Sequence, residues 1–216
     1  MAPPRNTRRR RALADAVIEV LGTAGIHKLS HRAVDERAGL PAGTAANYFP
    51  RRDDLLAAAA ERVAELHVAE MTAADRNAAS GSAAGQHAGA PASAAPGPDM
   101  LAALIGASLH DAATRNRTRY LAAYELALES TRQPALAEAM SRLGAAAFGT
   151  TLAEHRILGL PTTPDQVQAL IALYNGALLT LVVAPPETVT REATLALARC
   201  LVTGVLQSGP ETGDAN

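Results

Sequence analysis

Apolar side chains recur every three to four residues along most of the chain, which is the spacing of one face of an α-helix. The first such run, over about residues 8–23, places Leu13, Val17 and Val20 on one face. Similar runs predict helices over about 53–71, 99–114, 115–130, 134–159, 164–184 and 190–208. No segment sustains the alternation of apolar and polar residues that is typical of a half-buried strand. The pattern therefore predicts an all-α protein.

Residues 30–49 break this pattern, because two short helices and a tight turn are predicted within this one stretch. Ser30 is suited to cap the first helix, since its hydroxyl can accept a hydrogen bond from a free backbone N–H. Gly39 follows that helix at a point where the chain often needs a positive φ. Pro41 suits the first turn of a second helix over 42–49, because its missing N–H would have no partner there. Small side chains would let this second helix enter a major groove about 12 Å wide, so the stretch is interpreted as a helix-turn-helix.

The sequence from about Arg8 to Leu56 resembles the DNA-binding domain of the TetR family of transcriptional repressors. The resemblance is carried by the stretch AGIHKLSHRAVDERAGLPAGTAANYFPRRDDLL, in which AG at 38–39, GT at 43–44 and YF at 48–49 have the family's spacing. Many members have a bulky apolar residue and an aromatic residue after Gly-Thr, whereas this chain has Ala45 and Ala46. The resemblance implies an N-terminal three-helix DNA-binding domain and a larger helical domain for ligand binding and dimerisation.

Charge is distributed unevenly along the 216 residues, although the net charge is only −1. Residues 1–52 contain ten Lys or Arg and four Asp or Glu, a balance of +6, and the remainder contains ten and seventeen, a balance of −7. A basic first quarter fits a polyanionic partner. The run Arg8–Arg11 is either the solvated start of a helix or an arm that binds phosphates or the minor groove, and we expect phosphate contacts. Cys200 is the only cysteine, which excludes an intrachain disulfide and fits a reducing compartment. No membrane span is recognised in the sequence, so a cytoplasmic protein is expected.

The resemblance leads to a specific hypothesis for DNA recognition. Residues 42–48 of each subunit would enter successive major grooves of a palindromic operator, and binding would block transcription. Asn47 and Arg32 are the candidates for base edges, since an amide can pair with adenine and a guanidinium with guanine. Gly43 would permit close approach, and phosphates would be held by Thr44, Tyr48, Arg51 and Arg52. The full set of candidate DNA-binding residues is Ser30, His31, Arg32, Ala42, Gly43, Thr44, Asn47, Tyr48, Arg51 and Arg52.

Residues 77–98 contain no Asp, Glu, Lys or Arg and no Leu, Ile, Val or Phe. Such a composition buries too little apolar surface to offset the entropy lost on ordering, so a flexible loop is predicted there. The expected domains are a helix-turn-helix domain with a basic arm over 1–52 and a helical regulatory and dimerisation domain over 53–208. A disordered tail is expected over 209–216. Asp53 is the predicted N-cap of the first helix of the second domain.

Two further surfaces are expected in the second domain. The last two helices, about 164–184 and 190–208, are apolar over much of their surface, and the resemblance implies that they pair with a second copy as a homodimer. The resemblance also implies a small-molecule site among the helices of 99–159. A largely apolar site with a few polar anchors is expected for a small apolar effector that releases the DNA. The candidate ligand-binding residues are Leu104, His110, Tyr120, Tyr124, Glu125, Leu128, Met140 and Phe148.

Alternative functions differ in the sequence features they require. A regulator that binds a specific sequence without any ligand stays open. A nucleoid-type architectural protein would not need an acidic second domain of this size. An enzyme is disfavoured, because no HExxH, Walker A or nucleophile-elbow pattern occurs, and no cofactor is expected. Acidic residues lie near His67 and His155 without a third ligand nearby, so no metal site is predicted.

Overall fold

The computed structural model describes residues 7–85, 97–160 and 162–207, and for 71–85 it describes the backbone only. Every regular element in these ranges is helical, which confirms the predicted all-α fold. The α-helices are α1 (Thr7–Ala24), α2 (His31–Ala38), α3 (Thr44–Tyr48), α4 (Arg52–Gly85), α5 (Pro98–Ala113), α6 (Arg117–Ser130), α7 (Pro134–Ile157), α8 (Pro164–Val183) and α9 (Arg191–Gln207). Short 3₁₀ turns lie at Ile26–Lys28 and Pro186–Thr188.

The chain folds as two compact units, of which the first comprises residues 1–89 and 117–147. Its core surrounds α1, whose Leu13, Val17 and Leu21 are fully or almost fully buried. Helices α2, α4 and α6 all pack against α1. The approach of α6 is close, because a Cβ added at Gly22 would lie 2.0 Å from the backbone oxygen of Thr118. Only a residue without a side chain fits at this crossing of α1 and α6.

Helix α4 begins at Arg52 and continues for 34 residues to Gly85. Residues 77–85, predicted as the start of a flexible loop, are therefore helical, and this part of the prediction is wrong. The composition argument considers only burial, whereas the stretch is rich in Ala, which has the highest intrinsic helix propensity. Gly97 and Pro98, at the other end of the predicted loop, cap and begin α5. Residues 86–96 and the predicted tail over 209–216 lie outside the described residues, and the domain boundary at 52–53 stays a prediction.

The second unit comprises residues 90–116 and 148–216 and contains α5, α8 and α9. Helix α5 packs closely on α9, because a Cβ at Gly106 would lie 2.9 Å from the Cα of Leu195. A capping box begins α8, in which the Gln166 N–H donates to Thr163 Oγ1 and the Thr163 N–H donates to Gln166 Oε1. Thr190 accepts a hydrogen bond from the Ala193 N–H at the start of α9. Both caps join residues that are only three positions apart along the chain.

One face of α8 is not covered by the rest of its unit. Leu173, Leu179 and Val183 are 44%, 43% and 64% exposed. Helix α8 is also long and apolar enough, by length and composition alone, to cross a membrane, with a mean hydropathy of 1.6. Core helices of soluble proteins pass the same test, so length and composition do not by themselves indicate a membrane span. Any function proposed for the chain therefore has to account for this exposed apolar face of α8.

Candidate nucleic-acid interface

Two glycines with positive φ shape the turn between α2 and α3. Ser30 Oγ accepts a hydrogen bond from the Ala33 N–H at 3.2 Å, which confirms its role as the cap of α2. Gly39 ends α2 with φ 63°, the left-handed conformation expected of it. Gly43 has φ 88°, and nothing stands within 4 Å of the point where a Cβ would lie, so conformation and not space requires glycine there.

Helix α3 begins two residues later than the sequence indicates. Its first residue is Thr44 and not Ala42, because the left-handed Gly43 is incompatible with a helix that already runs through it. Pro41 consequently lies in the turn before α3, where its carbonyl accepts hydrogen bonds from the N–H of Thr44 at 3.1 Å and from its hydroxyl at 2.6 Å. The prediction that Pro41 occupies the first turn of the helix is wrong, and α3 has only five residues.

A buried carboxylate lies beneath this turn. Asp35 on α2 is only 2% exposed. Its Oδ2 accepts a hydrogen bond from the Gly43 N–H at 2.8 Å, and its Oδ1 accepts one from the Ala45 N–H at 2.7 Å. Sequence reasoning missed Asp35, because the contact joins two helices and no local pattern marks it. A carboxylate next to Val34, on the inward side of α2, was the only signal.

The other end of α3 is also bonded to α2. His31 Nε2 lies 2.6 Å from the backbone oxygen of Phe49, the residue that follows α3. Phe49 is buried, and the guanidinium of Arg10 lies over its ring at 4.5 Å from the centroid. An open cleft of about 290 Å³ adjoins this ring, lined partly by Tyr48, Asp54 and Glu61. His31 is thus engaged within the protein, and its contact with DNA stays a prediction.

The remaining candidates differ in their accessibility. Arg32, Ala42, Gly43 and Asn47 are exposed, together with Ser30. Thr44 and Tyr48 are half-buried. Arg32 pairs with Glu36 at 2.8 Å, and this exposed pair raises the pKa of Arg32. These residues lie on α2, on α3, or in the segments that immediately precede the two helices. Their contacts with bases or phosphates stay predictions.

The two arginines before α4 have different environments. The exposed Arg51 lies 3.6 Å from Asp54, and its backbone N–H donates to Asp54 Oδ2 at 2.9 Å. Arg52 donates to the backbone oxygen of Ile26 at 2.8 Å, so it ties the start of α4 to the turn after α1. Asp53 lies inside the first turn of α4, and the prediction that it is the N-cap is wrong, because the helix begins one residue earlier.

The candidate effector residues are divided between the two units. Leu104, His110 and Phe148 belong to the second unit, and Tyr120, Tyr124, Glu125, Leu128 and Met140 belong to the first. Glu125 points to the end of α1, where its Oε2 accepts a hydrogen bond from the Ile26 N–H at 3.4 Å. Leu128 is 63% exposed, and Met140 packs on the core around α1. Effector contact by any of the eight stays a prediction.

A polar cluster joins α4 to α6 in the first unit. Tyr120 Oη lies 3.4 Å from His67 Nδ1, and Arg119 pairs with Glu70. Burial lowers the pKa of His67 and raises the pKa of Tyr120. Within the described ranges, no group of three His, Cys, Asp or Glu side chains could hold a metal ion.

Comparisons with known proteins find one matching family model and several solved structures with a similar fold. A sequence-family model described as "Tetracyclin repressor-like, C-terminal domain" matches residues 96–207, more than half of the chain. The multidrug-binding protein EbrR in complex with ethidium is 27% identical, with 93% of this chain and 99% of that chain covered and a TM-score of 0.63. A TetR-family member from Streptomyces coelicolor A3 is 27% identical (91% and 97% covered, TM-score 0.59). A transcriptional regulator from Rhodococcus sp. Rha1 is 19% identical (92% and 96% covered, TM-score 0.68). No curated protein matches the chain.

Proposed function

The chain belongs to the TetR family of transcriptional regulators, and we propose that it acts as a homodimeric repressor that binds a palindromic operator and is released by a small molecule. The observation that carries the proposal is the short helix α3, which follows a left-handed glycine and presents the exposed Asn47 four residues before the exposed Arg51. The function is binding and not catalysis. A cytoplasmic location follows, because the operator is chromosomal DNA.

Two kinds of DNA contact are proposed. The exposed Asn47 and Arg32 read base edges, and Gly43 and Ala42 allow the backbone to approach the groove. Arg51 and the basic start of α1 hold phosphates, which supply most of the salt-dependent affinity. Additional phosphate contacts come from Ser30, Thr44, Tyr48 and Arg52. Arg52 would make this contact with Nε or Nη1, since Nη2 is bonded to Ile26.

The apolar face of α8 supports pairing with a second copy. Leu173, Leu179 and Val183 lie on this face, and Gly176 has nothing within 4 Å of a Cβ position. Large apolar side chains that remain exposed in a single chain mark interaction surfaces, and a glycine among them lets two helices approach closely. In the proposed homodimer, α8 and α9 of one subunit pack against α8 and α9 of the other. The two helix-turn-helix segments then bind the two half-sites of the operator.

A small molecule is the proposed release signal, and the eight candidate effector residues are the contacts to test. EbrR, which is similar to this chain over most of its length, is a multidrug-binding protein whose complex contains ethidium. This likeness supports a flat, largely apolar molecule as the first effector class to test. The molecule must bind the DNA-free state more tightly, with a coupling of about 1–3 kcal/mol, in order to release the operator.

The test of the proposed function is operator selection from random duplexes, followed by binding of two variants across a salt series. Arg51→Ala should weaken operator and unrelated DNA alike and reduce the slope of log affinity against log salt by about one. Asn47→Ala should leave that slope unchanged and relax the preference at particular base pairs, each worth about 1–3 kcal/mol. Failure to enrich any sequence would contradict the proposal.

A ligand-independent regulator is the second candidate. It shares the DNA interface and the dimer and differs only in the effector. Ethidium and related planar molecules, added to the protein–operator complex, separate the two functions. Release of the operator at concentrations that leave free duplex DNA unaltered supports the ligand-responsive repressor.

A further inference from the structure

The reading helix α3 is too short to hold its own position. It has five residues, and its bonds to the flanking residues include Asn47 N–H to Gly43 and Phe49 N–H to Ala45. Nucleation makes isolated helices of this length unstable, because several residues are fixed for each hydrogen bond gained. The position of α3 relative to α1 and α2 is therefore set by contacts from outside α3.

Helix α2 supplies such contacts at both ends of α3. Asp35 accepts the backbone N–H groups of Gly43 and Ala45, at the start of α3. His31 bonds the carbonyl of Phe49, just after its end, and must be the donor, because a carbonyl oxygen only accepts. The two side chains are four residues apart on α2 and so lie on one face. Together they hold both ends of α3 from a single helix.

The chemistry of Asp35 indicates more than packing. An ionised carboxylate that is 2% exposed has lost its hydration, and only strong, well-aligned hydrogen bonds offset that cost. Its two oxygens each accept one N–H, on either side of Thr44. Such a bond pair fixes direction as well as distance, which an apolar contact with α2 would not do.

We propose that Asp35 and His31 are positioning residues that determine the base-sequence preference of α3 without touching DNA. This inference rests on the proposed function. Asn47 can pair with a base edge only if α3 lies at the right depth and angle in the groove. Phosphate contacts from Arg51 and the start of α1 come from other elements and do not depend on this positioning.

Asp35→Asn is the sharpest test, because it keeps the shape of the side chain and replaces one acceptor oxygen by a donor that faces a backbone N–H. We expect the ratio of operator to shuffled-duplex affinity to fall about tenfold or more, because the loss of one hydrogen bond to a charged group has an effect of this size. The salt dependence of binding to shuffled duplex should not change. Asp53→Asn removes the same charge from an exposed position on α4 and should preserve the ratio.

His31 provides a second arm that leaves no buried charge behind. His31→Leu should lower the operator preference, and His31→Gln should restore most of it, since the amide can still donate to the Phe49 carbonyl. If His31→Leu instead reduces the salt slope and weakens both duplexes equally, His31 binds phosphate and its assignment as a positioning residue is overturned.

The outcomes separate this inference from the proposed function and from simple unfolding. A wild-type protein without operator preference would contradict the proposed function itself. A wild-type preference that survives unchanged in Asp35→Asn and His31→Leu would overturn only the positioning role. Partial unfolding of a variant lowers both affinities by one factor and leaves their ratio intact, so the ratio reports position and not folded fraction.

Discussion

The crossing of α1 and α6 at Gly22 allows a stability prediction with a worked magnitude. A Cβ at this position would meet the Thr118 backbone oxygen at 2.0 Å and its Cγ2 at 2.7 Å, whereas real Cβ contacts are essentially never below 3.0 Å. Gly22→Ala therefore requires the two helices to separate by about 1 Å or more. Because the obstacle is backbone and not a flexible side chain, rotamer changes cannot relieve it.

Two effects of opposite sign decide the result. Alanine gains about 1 kcal/mol over glycine in a helix interior. Overpacking costs about 1–3 kcal/mol, and more where the backbone must move. We expect the second effect to win, with a net loss of about 2 kcal/mol in the free energy of unfolding. At a urea m-value of about 2 kcal/mol/M, the midpoint should fall by about 1 M.

The assay is urea unfolding followed by helical circular dichroism, with Gly144→Ala as the matched control. Gly144 lies in α7, within the same compact unit, and nothing stands within 4 Å of its Cβ position. This control should be neutral or stabilised by up to about 1 kcal/mol. If Gly22→Ala were as stable as Gly144→Ala, the close packing of α1 against α6 would be refuted.

Two more predictions concern assembly and pH. Leu173→Glu should shift the homodimer towards monomer in analytical ultracentrifugation, because a charge would enter the apolar face of α8. Val68→Glu, at a similar exposure of 42%, is the control and should leave the dimer intact. A dimer that is unchanged in Leu173→Glu would exclude this face as the interface. Burial lowers the pKa of both His67 and His155 below 6.5, so folding favours their neutral forms. The contribution of these two histidines to the free energy of unfolding should be fully present above pH 6.5. It should decline as the pH falls towards their folded-state pKa values, because the unfolded chain takes up protons first. A urea midpoint that stayed constant or rose over this interval would contradict the expectation.

The helical fold could be predicted because each helix carries its own local signals. Ser30, Thr163 and Thr190 cap helices through bonds to residues only three positions away, which a sequence displays directly. Gly39 likewise marks the left-handed end of α2. The start of α3 is harder to predict, and the predicted start is wrong because Gly43 adopts a left-handed conformation. The Gly43 N–H bonds Asp35 of the neighbouring helix and not a residue of its own helix.

Candidate site residues can be proposed from the sequence only where their signals are local. Exposed candidates such as Asn47 follow from the helix-turn-helix pattern, since chemistry and spacing are both local. Asp35 on α2 bonds Gly43 and Ala45, eight and ten positions away and beyond the turn. Glu125 bonds Ile26, 99 positions away. Nothing in the order of residues distinguishes a carboxylate that binds a backbone N–H from one that binds an effector. The prediction of Glu125 as an effector residue therefore rests on side-chain type alone.

The length of α4 converts a small tilt of the helix into a larger displacement at its first residue. Arg52 at its start bonds the carbonyl of Ile26, and Glu70 further along pairs with Arg119 of α6. Residues 52 and 70 are separated by about 27 Å at 1.5 Å per residue. A tilt of only about 5° around Glu70 would thus carry the Arg52 end through about 2.4 Å, enough to part the guanidinium from the Ile26 carbonyl. Modest angular changes far from the DNA would be magnified into a switch of hydrogen bonding beside it.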